Sequence, residues 1–392
     1  MPPRKPKSVA PTSTVGAAIR RQREAINWTV AKLADAIDVS RNTLTNYELG
    51  KTEPSASELS LLADKLGCSI MELLGVGAPA TTARFAFRAH AAHHKDPKVA
   101  ALARKLSRRY VEIETITETR LCDRLRPFVC STNSALGDRE IEALAEELRQ
   151  SSGLHDCGPE NIAAVLESLG VRCLFFDFDS PGLDGISAVD GDTMITLLPN
   201  SGRNVERIIF SAAHELGHLV LHPFLFTESG GSNLGERDFE KEANIFAGAF
   251  LVPSTELARI WREDRLDRLP LPHALLILKR AFRISYWALF YRLRALQLTD
   301  IDYPRLIIDT KRYMGVSGKT NIANLEPEPF ESHLLFRTSR FELLVRSAFI
   351  QDLIGMTKVA EMLNMTVDKA QMKTAEWRKP RFANADGQQA EV

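Results

Sequence analysis

Apolar residues along this chain recur mainly at three- and four-residue spacing, with short runs that alternate at two. That pattern predicts an α+β fold that is mostly helical. Val15 to Gly75 reads as five short helices, with Val30–Ile37 and Arg41–Glu48 joined by a tight turn at Asp38-Val39. Ser40 is placed to cap the second of these helices and Gly50 to end it. Between Asp96 and Leu125 an apolar stripe of Leu102, Leu106, Tyr110, Ile113 and Ile116 predicts a long helix that either packs between domains or pairs two copies of the chain. Further helices are expected at Gly137–Gly153 and Asn161–Gly170. Val171–Phe176 and Thr193–Leu198 read as strands bracketing an Asp184-Gly185 turn, and they give a small sheet whose edge could pair with an extended substrate.

Ile209, Phe210, Ala213, Leu216, Gly217 and Val220 keep helical spacing through the next segment. Ala243, Phe246, Ala247 and Phe250 mark another helix, ended by Pro253. Helical spacing resumes over Ile284–Leu293. A last helical pair runs from Ser339 to Met365, its lysine-alanine-leucine arrangement echoing a second helix-turn-helix. The tail after Lys379 reads as disordered. The divisions are a helix-turn-helix domain at 15–75, a basic helical linker at 76–135, a core of helices and strands at 136–255 and a helical C-terminal region at 256–378.

Chemistry concentrates in Ala213-His214-Glu215-Leu216-Gly217-His218. On a helix, residues four apart share a face, so His214 and His218 can bind one zinc ion while Glu215 meets the water as proton acceptor. Two imidazoles and a carboxylate favour zinc, with manganese the alternative. A third donor is needed. Glu242 lies next to the apolar face of its helix, where an unpaired carboxylate is costly and a metal would remove the cost. Glu240 reads as solvated, though the sequence leaves it open as the ligand. His222, one turn past His218, is open as a ligand, a loop residue, or a group supporting a ligand or an oxyanion, the last being favoured. The segment 227–236 reads as a loop that could cover the cleft.

From about Leu174 to Pro253 the chain resembles the ImmA/IrrE metallopeptidases. The residues that carry the resemblance are Asp184-Gly185-Ile186-Ser187, Met194–Leu197, His214–His218, Glu242-Ala243-Asn244-Ile245-Phe246-Ala247 and Leu251-Val252-Pro253. The resemblance implies zinc on His214, His218 and Glu242, with Glu215 as general base. It also implies a regulatory protein as substrate, often a repressor, and a small helical subdomain after the core.

Leu33-Ala34, Val39-Ser40, Thr43–Lys51 and Pro54 closely resemble the Xre/Cro-type DNA-binding domain. By that resemblance the helix from Arg41 enters the major groove of double-stranded DNA. Arg41, Asn42, Thr43 and Asn46 would then face base edges, and Thr45, Lys51 and Arg20 would meet phosphates. A protein-binding fold derived from a DNA binder is the alternative.

Composition changes this picture only at the margins. There are 50 Lys plus Arg and 50 Asp plus Glu, so no global attraction to polyanions is expected. Positive charge gathers in a tail (Arg4, Lys5, Lys7) and between Arg84 and Arg109, as a phosphate contact or as a solvated helical face. Five cysteines without C-x-x-C spacing fit a reducing compartment. With no run of apolar residues long enough for a membrane or a signal peptide, a cytoplasmic protein is expected. The favoured reading is a zinc endopeptidase with its own DNA-binding domain, acting on a repressor or a toxin–antitoxin or stress-response partner. The alternative is an Xre-type regulator or antitoxin whose peptidase-like domain senses or docks a partner with little turnover.

Overall fold

The computed structural model describes residues 14–25, 28–66, 68, 70–74, 97–131, 135–154, 158–176, 184–200, 202–226, 237–316, 322, 325–331, 340–378, 382–383 and 389–390. The basic tail at Arg4–Lys7, the linker composition at 75–82, the basic residues from Arg84 to Lys95 and the loop at 227–236 lie outside the described residues. The fold is mostly helical with a small three-stranded sheet, as the spacing predicts.

Five helices form the N-terminal domain: α1 (Thr14–Ala25), α2 (Val30–Ala36), α3 (Arg41–Glu48), α4 (Ala56–Leu66) and α5 (Ile70–Leu73). Ile19, Leu33, Ala34, Leu44, Leu62, Leu66 and Leu73 are fully buried among them. Thr29 accepts the Lys32 amide and Ser40 the Thr43 amide, so each helix of the α2–α3 pair starts on a hydroxyl cap. Asp38 takes φ +56°, a turn conformation that a short polar side chain tolerates, and the Val39 amide then donates to Ala34 O. Gly16 is where α1 crosses α3, since a Cβ there would stand 2.2 Å from Tyr47 O.

The sheet runs β1 (Val171–Phe176), β3 (Thr193–Pro199), β2 (Ile186–Asp190), with β1 parallel and β2 antiparallel to β3. Side chains alternate between its faces. Val171, Cys173, Met194 and Leu198 join a core with α7 (Asp138–Ser151), α8 (Ile162–Ser168), α9 (Val205–Leu221) and α10 (Phe239–Leu251). The same core takes in α11 (Ser254–Glu263), α12 (Leu271–Phe282), α13 (Tyr286–Ala295) and α14 (Tyr303–Tyr313).

The opposite face carries Leu174, Ile186, Ala188, Ile195 and Leu197. It is covered by α6 (Pro97–Ile116) together with α15 (Arg340–Ile350), α16 (Met356–Met362) and α17 (Val367–Arg378). The stripe of Leu106, Tyr110 and Ile113 is therefore buried within the chain, which favours the packing reading of α6 over pairing of two copies. Arg104 and Arg109 are buried too, so they are not part of a solvated basic face. Buried charges tie the layers: Glu114 of α6 binds Arg172 of β1 at 2.7 Å and Arg340 of α15 at 2.6 Å.

The α16–α17 turn repeats the backbone of the α2–α3 turn. Asn364 takes φ +54° and the Met365 amide donates to Ala360 O at 3.0 Å, matching Asp38 and Val39. The tail expected to be unstructured contains an antiparallel pairing of β4 (Phe382–Ala383) with β5 (Gln389–Ala390).

Candidate metal centre

α9 is buried nearly all round, with only Arg207 and Phe210 less than buried, because it lies between the sheet, α8 and α10. Gly217 is a point of close contact with α10: a Cβ there would be 3.1 Å from the Phe246 ring and 3.3 Å from Ala243 O. This contact fixes how α10 is rotated against the two histidines.

His214 and His218 present their Nε2 atoms 3.0 Å apart. Glu240, in the first turn of α10, brings Oε2 to 3.3 Å from His214 Nε2 and Oε1 to 3.6 Å from His218 Nε2. One nitrogen from each histidine and an oxygen of Glu240 thus converge, the only such cluster of three or more metal-ligating groups among the described residues. Four residues on, Asn244 places Oδ1 3.0 Å from His214 Nδ1. The hydrogen bond from His214, with the His218 ring beside it, holds the Glu240 carboxyl far below the usual carboxylate range. Burial pushes His218 down to about 3 and keeps its ring neutral, the form a metal requires. At His214 burial works the same way, but the Glu240 hydrogen bond and the charges of Glu215 and Glu240 outweigh it and raise the ring's pKa.

Glu242 corrects the sequence expectation. Two residues from Glu240, it projects about 200° around the helix and faces elsewhere. Its Oε2 lies 3.0 Å from His222 Nε2, and Arg237 grips both its oxygens at 2.7 and 2.6 Å. The buried carboxylate is indeed paired, but with a guanidinium and an imidazole. His222 caps α9, fully buried, with Nδ1 3.0 Å from His218 Nδ1. It stands behind His218, on the side away from the converging nitrogens, which fits support of that ring and not contact with an oxyanion.

Glu215 of α9 is buried against the start of β2. Ser187 Oγ donates to its Oε2 at 2.6 Å, and a Cβ on Gly185 would stand 2.9 Å from its Cγ. The Asp184-Gly185 turn is itself pinned, since Arg203 and Arg207 each reach Asp184 at 2.5 Å. Burial pushes the Asp184 carboxyl up, but the hydrogen bonds from Arg207 and Arg203 outweigh it and leave its pKa lowered. A cleft of about 960 Å³ runs past Glu240 and Asn244, walled by Phe210, Ile245, Trp287 and Tyr291. Sequence reasoning did not single out Asn244, Ser187, Arg237 or Gly185 as site residues. The signal for the first was available: Glu240 and Asn244 repeat the four-residue spacing of His214 and His218.

On α3, Arg41 and Asn42 are exposed, as is Lys51 beyond it, while Thr43, Thr45 and Asn46 are half-buried. Local bonds engage two hydroxyls: Thr43 Oγ1 pairs with Ser40 Oγ, and Thr45 Oγ1 donates to Arg41 O. Among the described residues no helix is long and apolar enough to cross a membrane.

Two family models match the chain. Residues 19–73 match the helix-turn-helix model, and residues 166–294 match the IrrE N-terminal-like domain of the peptidase M78 family. The transcriptional repressor RstR of the cryptic phage CTXphi, from Vibrio cholerae serotype O1, is 42% identical over 57 residues. That likeness covers 14% of this chain and 51% of the repressor, so the chain spans about half the length of the curated relative it matches. The chain therefore joins an Xre-type helix-turn-helix domain to an IrrE-like peptidase M78 domain.

Proposed function

We propose that this protein is a DNA-binding regulator whose peptidase domain is a zinc-dependent endopeptidase acting on another regulatory protein. The observation that carries the proposal is the convergence of His214, His218 and Glu240 beside a Glu215 carboxylate held in place by Ser187. Two imidazoles and one carboxylate are a three-ligand donor set that leaves a fourth position open, which suits catalytic zinc. His214 Nε2, His218 Nε2 and a Glu240 oxygen would hold the ion, which would supply Lewis acidity toward a peptide carbonyl and acidify a water.

The chain's own groups do the rest. Glu215 takes the proton of the attacking water and returns it to the leaving amine. Ser187, donating to Glu215 Oε2, aims the other oxygen and limits rotation of the carboxyl. The cleft walled by Phe210, Trp287 and Tyr291 would take apolar side chains of the substrate, and the outer edge of β2 offers backbone groups to an extended chain. The helix-turn-helix domain would place α3 in the major groove, with Arg41 and Asn42 toward base edges and Lys51 toward a phosphate.

The test uses full-length protein. Glu215→Gln should retain about one zinc per chain and should capture a substrate protein from the source cells without cutting it. Adding zinc-loaded wild type should then cleave the captured protein, and a chelator should stop the cleavage. A captured partner left intact by zinc-loaded wild type would overturn the peptidase reading in favour of docking without turnover.

A further inference from the structure

A row of side chains extends behind His218, and nothing in the proposed hydrolysis uses it. His218 Nδ1 lies 3.0 Å from His222 Nδ1, and His222 Nε2 lies 3.0 Å from Glu242 Oε2. Arg237 donates to both Glu242 oxygens, through Nε at 2.7 Å and through a terminal nitrogen at 2.6 Å. The row is enclosed by aromatic rings. Phe239 and Phe224 meet His222 edge-on at 5.0 and 6.1 Å, and the Arg237 guanidinium lies over the same two rings at 5.2 and 5.5 Å.

Each contact in the row admits one proton, and the carboxylate decides where it sits. A neutral imidazole has one donor nitrogen and one acceptor. Glu242, held by a guanidinium, can only accept, so His222 carries its proton on Nε2 and its Nδ1 is a lone pair. That lone pair must receive a proton from His218, which fixes the His218 proton on Nδ1 and leaves Nε2 bare. In the reverse order His222 would turn a lone pair toward a carboxylate, and His218 would turn N–H toward the cluster with His214 and Glu240. His214 has a weaker arrangement, with a neutral Asn244 oxygen at its Nδ1.

We propose that Arg237, Glu242 and His222 form a positioning relay that presets the His218 ring, in both tautomer and orientation, as a metal ligand. The relay rests on the metal-site reading above and adds to it. The same contacts engage the Glu242 carboxylate, which lies near the ligands without being one of them. Outer residues of this kind are worth about 10- to 100-fold in metal affinity.

The experiment measures zinc affinity of the full chain by competition with a chromogenic chelator, in wild type, His222→Leu and His222→Gln. Leucine removes the acceptor for His218 Nδ1–H, and binding should weaken about 10- to 100-fold. Glutamine restores a carbonyl acceptor, and most of the affinity should return. A ring that merely fills space would predict equal losses in both variants, which would overturn the relay. Equal, wild-type-tight binding in both would overturn it as well while leaving the metal site standing. No zinc binding by wild type would remove the metal reading and the relay together. Should the leucine variant not fold, long-range proton–nitrogen correlation spectra of histidine-labelled, metal-free wild type decide the matter. His218 should appear with its proton on Nδ1 and His222 with its proton on Nε2, and either opposite tautomer would overturn the proposal.

Discussion

At the start of α3 the polar side chains are exposed or half-buried and the ordered ones bond within their own turn, whereas in the α9–α10 pair they are buried and bonded to one another. Arg41 and Asn42 are exposed, and the ordered hydroxyls of Ser40, Thr43 and Thr45 serve the helix itself. His214, His218, His222, Glu215 and Glu242 are all buried, each with a named partner. A surface that reads a large, hydrated partner keeps its donors in water until contact. A site that holds an ion must fix its donors beforehand, because repositioning them in the interior would leave polar groups unpaired. Two hydrogen bonds from tyrosine to glutamate show the same contrast. Tyr47 donates to Glu58 at 2.9 Å near the surface, and Tyr110 donates to Glu167 at 2.8 Å inside. Bonds from Ser55 and then Tyr47 lower the Glu58 pKa, whereas burial raises that of Glu167 to about 7.

Breaking the buried set should have the largest effect. Glu240→Ala should reduce zinc affinity by more than the roughly hundredfold that outer residues cost, and leave operator binding unchanged in a gel shift. Metal analysis showing full zinc occupancy in that variant would undo the assignment of Glu240. Next come the two glycines where helices touch. Gly16→Ala places a methyl against the Tyr47 carbonyl, backbone that cannot yield, and should destabilise the N-terminal domain by about 3 kcal/mol or more. Gly217→Ala meets the Phe246 ring at longer range and should cost about 1–3 kcal/mol. Thermal unfolding of both variants would test the ranking, and an unaltered Gly16→Ala domain would reject it.

On the exposed side, Arg41→Ala and Asn42→Ala should each weaken specific DNA binding by about 1–3 kcal/mol, roughly 5- to 150-fold, with stability and zinc binding intact. Unchanged affinity for the operator would move base reading away from the start of α3. The last contrast is in the pH dependence of folding. Glu58, with its lowered pKa, stabilises the N-terminal domain above about 4.5, and that contribution disappears as pH falls through the lower folded value. Glu167, raised to about 7, works oppositely. Between about 4.5 and 7 the unfolded chain loses this proton before the folded one does, so stability falls as pH rises across that window. Glu167→Gln should remove that fall, as read by denaturant titration at pH 5 and pH 8, and an identical slope in both proteins would contradict the burial argument.

Much of this was legible in the sequence because it is local. The four-residue spacing of His214 and His218 places both rings on one face of any helix that includes them. Asp38, Val39 and Ser40 encode their turn through one left-handed residue, one apolar plug and one hydroxyl cap. The pairing of α6 with α15–α17 across the sheet was not legible, since their apolar faces are complementary only once the strands lie between them. The choice between Glu240 and Glu242 was likewise undecided by the chain. Both sit in the first turn of α10, both are acidic, and both border apolar positions. Tertiary structure decided it. Gly217 lets Phe246 and the Ala243 carbonyl close onto α9, which rotates α10 so that Glu240 meets the imidazoles and Glu242 turns to His222 and Arg237. Helical periodicity determines which residues share a face, and only the packing of one helix on another determines what that face meets.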